Sequence, residues 1–102
     1  MTKGYWMVHV DVADLEKFKA YATENQHAFK KYGARFLARA GRHESVEGNG
    51  RARNTIIEFP NYQAALECWR SEEYQAAKSL RDNACEIDIT ILEGYEGAQP
   101  SE

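Results

Sequence analysis

Apolar side chains recur at every second position from Tyr5 to Val12, with Trp6, Val8, Val10 and Val12 on one side of a run rich in β-branched and aromatic residues. This predicts a first strand. Asp14 then stands at an N-cap position, and Leu15, Phe18, Ala22, Asn25, Phe29 and Tyr32 follow at spacings of three and four up to Gly33, predicting a long amphipathic helix. The charges between them form the solvated face of such a helix and require no function. Alternation returns at Ala34–Ala40, where Phe36, Ala38 and Ala40 oppose Arg35, Leu37 and Arg39, and Gly41 lets the strand bend before it continues through His43–Glu47. Gly48-Asn49-Gly50 reads as a hairpin turn into a third strand, Arg53–Phe59, which Pro60 stops. Asn61 caps a second helix with a stripe of Tyr62, Ala65, Leu66 and Trp69, and Ser71 marks a restart or kink before the helical pattern runs on to Arg81. Ile87, Ile89 and Ile91 alternate with Asp88, Thr90 and Leu92 in a fourth strand, Glu86–Tyr95.

Strand, helix, strand, strand, helix, strand is the order of the α+β ferredoxin-like arrangement. Right-handed crossovers then give an antiparallel sheet ordered four, one, three, two with its helices on one face. Residues 1–97 are expected to form a single domain, and 98–102 a loose tail. The period of two sends Val8, Val10, Phe36, Ala38, Ile57, Phe59, Ile87, Ile89 and Ile91 toward the helices. Met7, His9, Leu37, Arg39, Asn54, Ile56, Glu58, Asp88, Thr90 and Leu92 remain for the other face. That mixture of apolar and ionisable groups is too apolar for a solvated surface. Two such faces packed about a two-fold axis form a dimeric α/β barrel with a small mixed cavity.

Composition narrows the partners. Thirteen Lys and Arg against sixteen Asp and Glu give a net charge of −3, without the basic footprint that nucleic acid or an anionic membrane needs. No apolar stretch approaches the ~20 residues of a membrane helix, and the Tyr5–Val12 run holds His9 and Asp11 and precedes no cleavage site, so a cytoplasmic address is expected. Two cysteines, Cys68 and Cys85, are too few and too far apart for a disulfide scaffold and read as reduced small hydrophobes.

Candidate chemistry sits on the uncovered face. His9 on the first strand lies between the third and fourth, within expected reach of Asp88 and Glu58, with Arg39 one strand further out. A histidine beside carboxylates exchanges protons near neutral pH, which makes His9, Glu58 and Asp88 candidate catalytic residues. Arg39 and Asn54 are candidate ligand-binding residues, since an arginine in a dry cavity suits a carboxylate, enolate or phosphate. The same four charged groups also satisfy one another in a purely structural salt-bridge network. Tyr74 and Arg81, seven positions apart and so on one helix face, are further ligand-binding candidates, although a packed Tyr with an Arg near a helix end is the commoner arrangement. Asn25 interrupts the apolar stripe of the first helix, as a polar anchor in the core or at the rim of the stripe. No metal-ligand spacing, cofactor motif or phosphate loop is present, because Gly48 and Gly50 precede a strand and not a helix.

The strings GYWMVHVDV, KYGARFLARAG, RNTIIEFPNYQAALECWRSEEYQAAKSLR and ILEGYEG together resemble a small bacterial family, domain of unknown function 1330, over residues 4–97. The resemblance implies a dimeric α/β barrel of the ferredoxin-like class and no established activity. Trp69 and Glu72 depart from the Tyr and Pro frequent in that family. Wider relatives by fold include cofactor-free monooxygenases, lactone isomerases and haem-degrading enzymes, and fold does not fix chemistry. The expected function is a homodimer that binds a small anionic or carbonyl-bearing metabolite at the sheet face. The alternatives are a cofactor-independent isomerase or monooxygenase, and a structural dimer without a ligand.

Overall fold

The computed structural model describes residues 2–101. Its elements run β1 (Gly4–Val12), α1 (Leu15–Lys31), β2 (Arg35–Arg39), β3 (Arg53–Phe59), α2 (Tyr62–Arg70), α3 (Glu72–Ser79) and β4 (Cys85–Glu93). The sheet order is β2-β3-β1-β4 with every neighbouring pair antiparallel, which is the ferredoxin-like α+β topology the element order predicts. Glu102, the end of the expected tail, lies outside the described residues.

Local chemistry sets the element ends. Asp14 caps α1 by accepting from the Lys17 amide at 3.2 Å, and Asn61 caps α2 by accepting from the Ala64 amide at 2.8 Å. The Ser71 hydroxyl serves two helices, donating to the Cys68 carbonyl at the end of α2 and accepting from the Tyr74 amide at the start of α3. The chain therefore breaks where the restart was expected. Gly33 takes φ +72°, which ends α1 at no steric cost. At Gly4 the backbone of Asn61 comes so near that a Cβ would lie 2.5 Å from its carbonyl oxygen, so β1 and the entry to α2 can meet only at glycine.

Trp6 is fully buried at the centre of the core between sheet and helices. Its ring meets Phe29 and Tyr74 edge-on and Phe59 at a tilt, with centroids 5.0–5.4 Å apart, and its Nε1 donates to the Ala65 carbonyl at 2.9 Å.

Two expectations about β2 are corrected. The strand does not continue through His43–Glu47. Ala40 adopts a left-handed φ of +48°, and residues 41–50 follow as an exposed, irregular loop. Between Arg42 and Glu47 the loop has one large apolar side chain, Val46, which is 85% exposed, so a strand here would have no face to bury. The second correction is one of register. Phe36 pairs with Ile57 and Ala38 with Ile56, so Leu37 is the extra residue of a bulge. Arg39 then pairs with Thr55, on the helix side with Ile57, and Ala38 turns to the opposite face with Ile56.

Candidate functional site

The uncovered face gathers some of the expected residues and separates others. His9 faces Asn54 on β3 and Asp88 on β4. The Asn54 Nδ2 donates to the Arg51 carbonyl at 3.1 Å, which fixes the amide and turns its Oδ1 toward His9 Nδ1 at 2.6 Å. Nδ1 must therefore carry the ring proton when His9 is neutral, leaving Nε2 as the acceptor. Glu58 faces Tyr5 and Arg35, four positions along β3 from Asn54 and so roughly 13 Å away along the strand, which corrects its expected approach to His9. Arg39 is absent from this face because the bulge carries it to the other.

Arg51 takes the central place. Its Nε donates to Asp88 at 2.8 Å, and its Nη1 donates to Asp11 at 2.9 Å and to Glu86 at 3.2 Å. Three carboxylates around one guanidinium raise the Arg51 pKa, Asp88 contributing most. Sequence reasoning missed this residue because it belongs to the loop, where alternation assigns no face. The signal available was the cluster of acids: Asp11, Asp88 and Glu86 share one face in adjacent register and call for a cation.

Asp11 also accepts the Ala52 amide at 2.8 Å, and this bond, followed by the Arg51 pairing, holds its carboxyl below the ordinary value of 3.8 despite some desolvation. A carboxyl with a depressed folded pKa contributes stability that is complete well above its unfolded value and is lost as pH falls through the folded one. The end of the loop is therefore expected to come free of β1 below pH 3.8. In an NMR titration the Ala52 amide should shift with a midpoint under that value, and Asp11→Asn should abolish the transition; a midpoint above it would contradict the pairing.

The helix side of the sheet holds a cavity of about 140 Å³ beneath α1. A cavity on the order of 150 Å³ takes a benzene-sized body. Val8, Val10, Thr55, Ile57 and Ile87 form its floor, Phe18, Tyr21, Asn25 and Phe29 its roof, and Phe36, Arg39 and Arg53 part of its wall. The Arg39 guanidinium stacks 4.2 Å from the Phe36 ring centroid, and Arg53 lies 5.5 Å from that of Phe18. Among the described residues no His, Asp or Glu lines this cavity. Asn25 is buried, and its orientation follows from its neighbour. Gln26 Nε2 donates both to the Ala22 carbonyl and to Asn25 Oδ1, which leaves Asn25 Nδ2 with no partner among the described residues.

Tyr74 and Arg81 also come together, with Tyr21 as an unforeseen third member. The Tyr74 hydroxyl shares a 2.7 Å hydrogen bond with that of Tyr21 and accepts from an Arg81 Nη at 3.3 Å. Burial, then the neighbouring Tyr21, pushes the Tyr74 phenol well above its ordinary range and keeps it protonated. Burial likewise pushes the Cys68 thiol up to about 12, so it is no nucleophile at neutral pH. Among the described residues no group of three His, Cys, Asp or Glu is placed to hold a metal ion.

Residues 3–95 match the family described as Domain of unknown function (DUF1330). The chain belongs to that family. Solved structures similar to this DUF1330 chain include RPA0582, a protein of unknown function from Rhodopseudomonas palustris, at 16% identity and a TM-score of 0.75, covering 94% of this chain and 85% of that one. SnoaB, a cofactor-independent oxygenase from Streptomyces nogalater, shares 9% identity at a TM-score of 0.65, covering 98% and 99% of the two chains. A dimeric protein of unknown function and ferredoxin-like fold from Bacteroides fragilis shares 14% at 0.52, covering 89% and 95%. At these identities the likeness extends to the fold alone. Comparison with curated proteins finds no match to the DUF1330 chain.

Proposed function

We propose that this protein is a homodimer that binds a small anionic or carbonyl-bearing metabolite in the cavity beneath α1. The observation that carries the reading is Asn25 in the lining of a mostly apolar cavity, its Nδ2 without a partner among the described residues, with Arg39 and Arg53 in the wall. A ligand oxygen completes the amide, an apolar body fills the space above Val8 and Ile57, and the arginines attract a negative end. Because no carboxylate or imidazole among the described residues lines the cavity, these residues suit recognition better than proton abstraction. Dimerisation is supported by the uncovered face, where Tyr5, Met7, Ile56 and Leu92 form an apolar centre, Leu92 remaining 41% exposed in the single chain.

Native mass spectrometry of freshly purified protein should show twice the chain mass and a retained small molecule. In solution, benzoate should shift the Asn25 side-chain amide signals, and Asn25→Leu should weaken that binding about tenfold, the worth of one buried hydrogen bond. Benzoate binding that is indifferent to Asn25→Leu and Arg39→Ala would refute the site.

A second reading rests on the fixed tautomer of His9. Its free Nε2 on the uncovered face suits general-base work in a cofactor-independent isomerase or oxygenase, with Asp88 opposite and Glu58 remote. The fold shared with SnoaB is compatible with it. Under this reading His9→Gln abolishes turnover and leaves benzoate binding unchanged.

A further inference from the structure

Arg81 is only 9% exposed, yet no carboxylate among the described residues reaches it. One Nη donates to Tyr74, the guanidinium lies 4.8 Å from the Tyr21 ring centroid, and Nε is buried without a partner among the described residues. Arg51, by contrast, is less buried and binds three acids. A guanidinium taken out of water without a counter-ion is costly.

Beside Arg81 a cleft of about 260 Å³ opens between the helices and β4. Among the described residues its charged lining is Lys78 and Arg81, the rest is Trp69, Ile87, Ile89 and Ile91, and none is an acid. The three isoleucines stand at alternate positions of β4 and form one apolar row, with Lys78 on α3 and Arg81 in the turn after it. It adjoins the cavity beneath α1 through Ile87, which lines both.

We propose that this cleft is a second binding site, for an organic carboxylate with an aliphatic chain. The carboxylate supplies the counter-ion that Arg81 lacks, with Lys78 as the second cation, and the chain lies along the isoleucine row against Trp69. The site does not depend on a ligand beneath α1.

Octanoate is the probe. In an ¹⁵N-labelled sample its addition should shift the Arg81 Nε–H and Trp69 Nε1–H signals saturably. Lys78→Glu should weaken binding at least tenfold, as should replacing octanoate by the uncharged octanamide. Arg81→Met is expected to abolish binding but risks the fold, so the Lys78 variant and the neutral probe carry the test. Unmoved Arg81 and Trp69 signals overturn the proposal, as does equal binding of octanamide. Shifts confined to the Asn25 side chain overturn it too, since they report only the cavity beneath α1.

Discussion

Trp6→Ala is expected to lower the unfolding free energy by about 3–5 kcal/mol, a large share of the roughly 5–15 kcal/mol that holds a domain of this kind together. Three aromatic neighbours lose their common partner, and the Ala65 carbonyl loses its buried donor. Trp6→Phe separates the two effects, because a ring remains while the Ala65 oxygen loses the indole donor and keeps its place in the α2 ladder, at about 0.5–1.5 kcal/mol. Urea melts of the three proteins measure the series. A cost below about 1 kcal/mol for the alanine variant would mean that Trp6 is not the centre of the core.

The second large effect is expected on the proposed dimer. Met7 and Ile56 are register partners near the middle of the uncovered face. Met7→Asp with Ile56→Asp places two carboxylates there, and a two-fold axis doubles them in the interface. Desolvating unpaired carboxylates costs several kcal/mol, and each 1.4 kcal/mol is tenfold in affinity, so the dimer should weaken by at least about a thousandfold. Sedimentation should find single chains at concentrations where the parent is paired, with the circular dichroism spectrum unchanged. A double variant that still sediments as a dimer places the interface elsewhere.

Much of the architecture was legible because local signals agree. Asp14, Asn61 and Ser71 cap the helices they were expected to cap or restart, and the alternation in β1, β3 and β4 assigns their faces as observed. In β2 the same rule fails. Leu37 is absorbed by a bulge, a backbone choice with no marker in side-chain periodicity, and beyond it Ala38 and Arg39 exchange faces. The site was legible to the same extent. His9, Asn54 and Asp88 meet as the period of two predicts, whereas Glu58 was misplaced because alternation gives a face and not a position along the strand. Arg51 escaped because loops carry no period. Asn25 stood out as a polar break in an apolar stripe, and its free amide nitrogen became visible only through the bonds made by Gln26.

The Leu37 bulge also bears on how members of the family are compared. Across it, three steps along β2 span only two along β3, from Phe36–Ile57 to Arg39–Thr55. A relative that lacks one residue here keeps its arginine above the cavity on a regular strand. A relative of equal length with a straight strand carries the same arginine on the opposite surface, across from Asn54 and one strand removed from His9. An aligned arginine is thus no guide to the surface it serves, and an insertion or deletion near Leu37 says more about that than any substitution at Arg39.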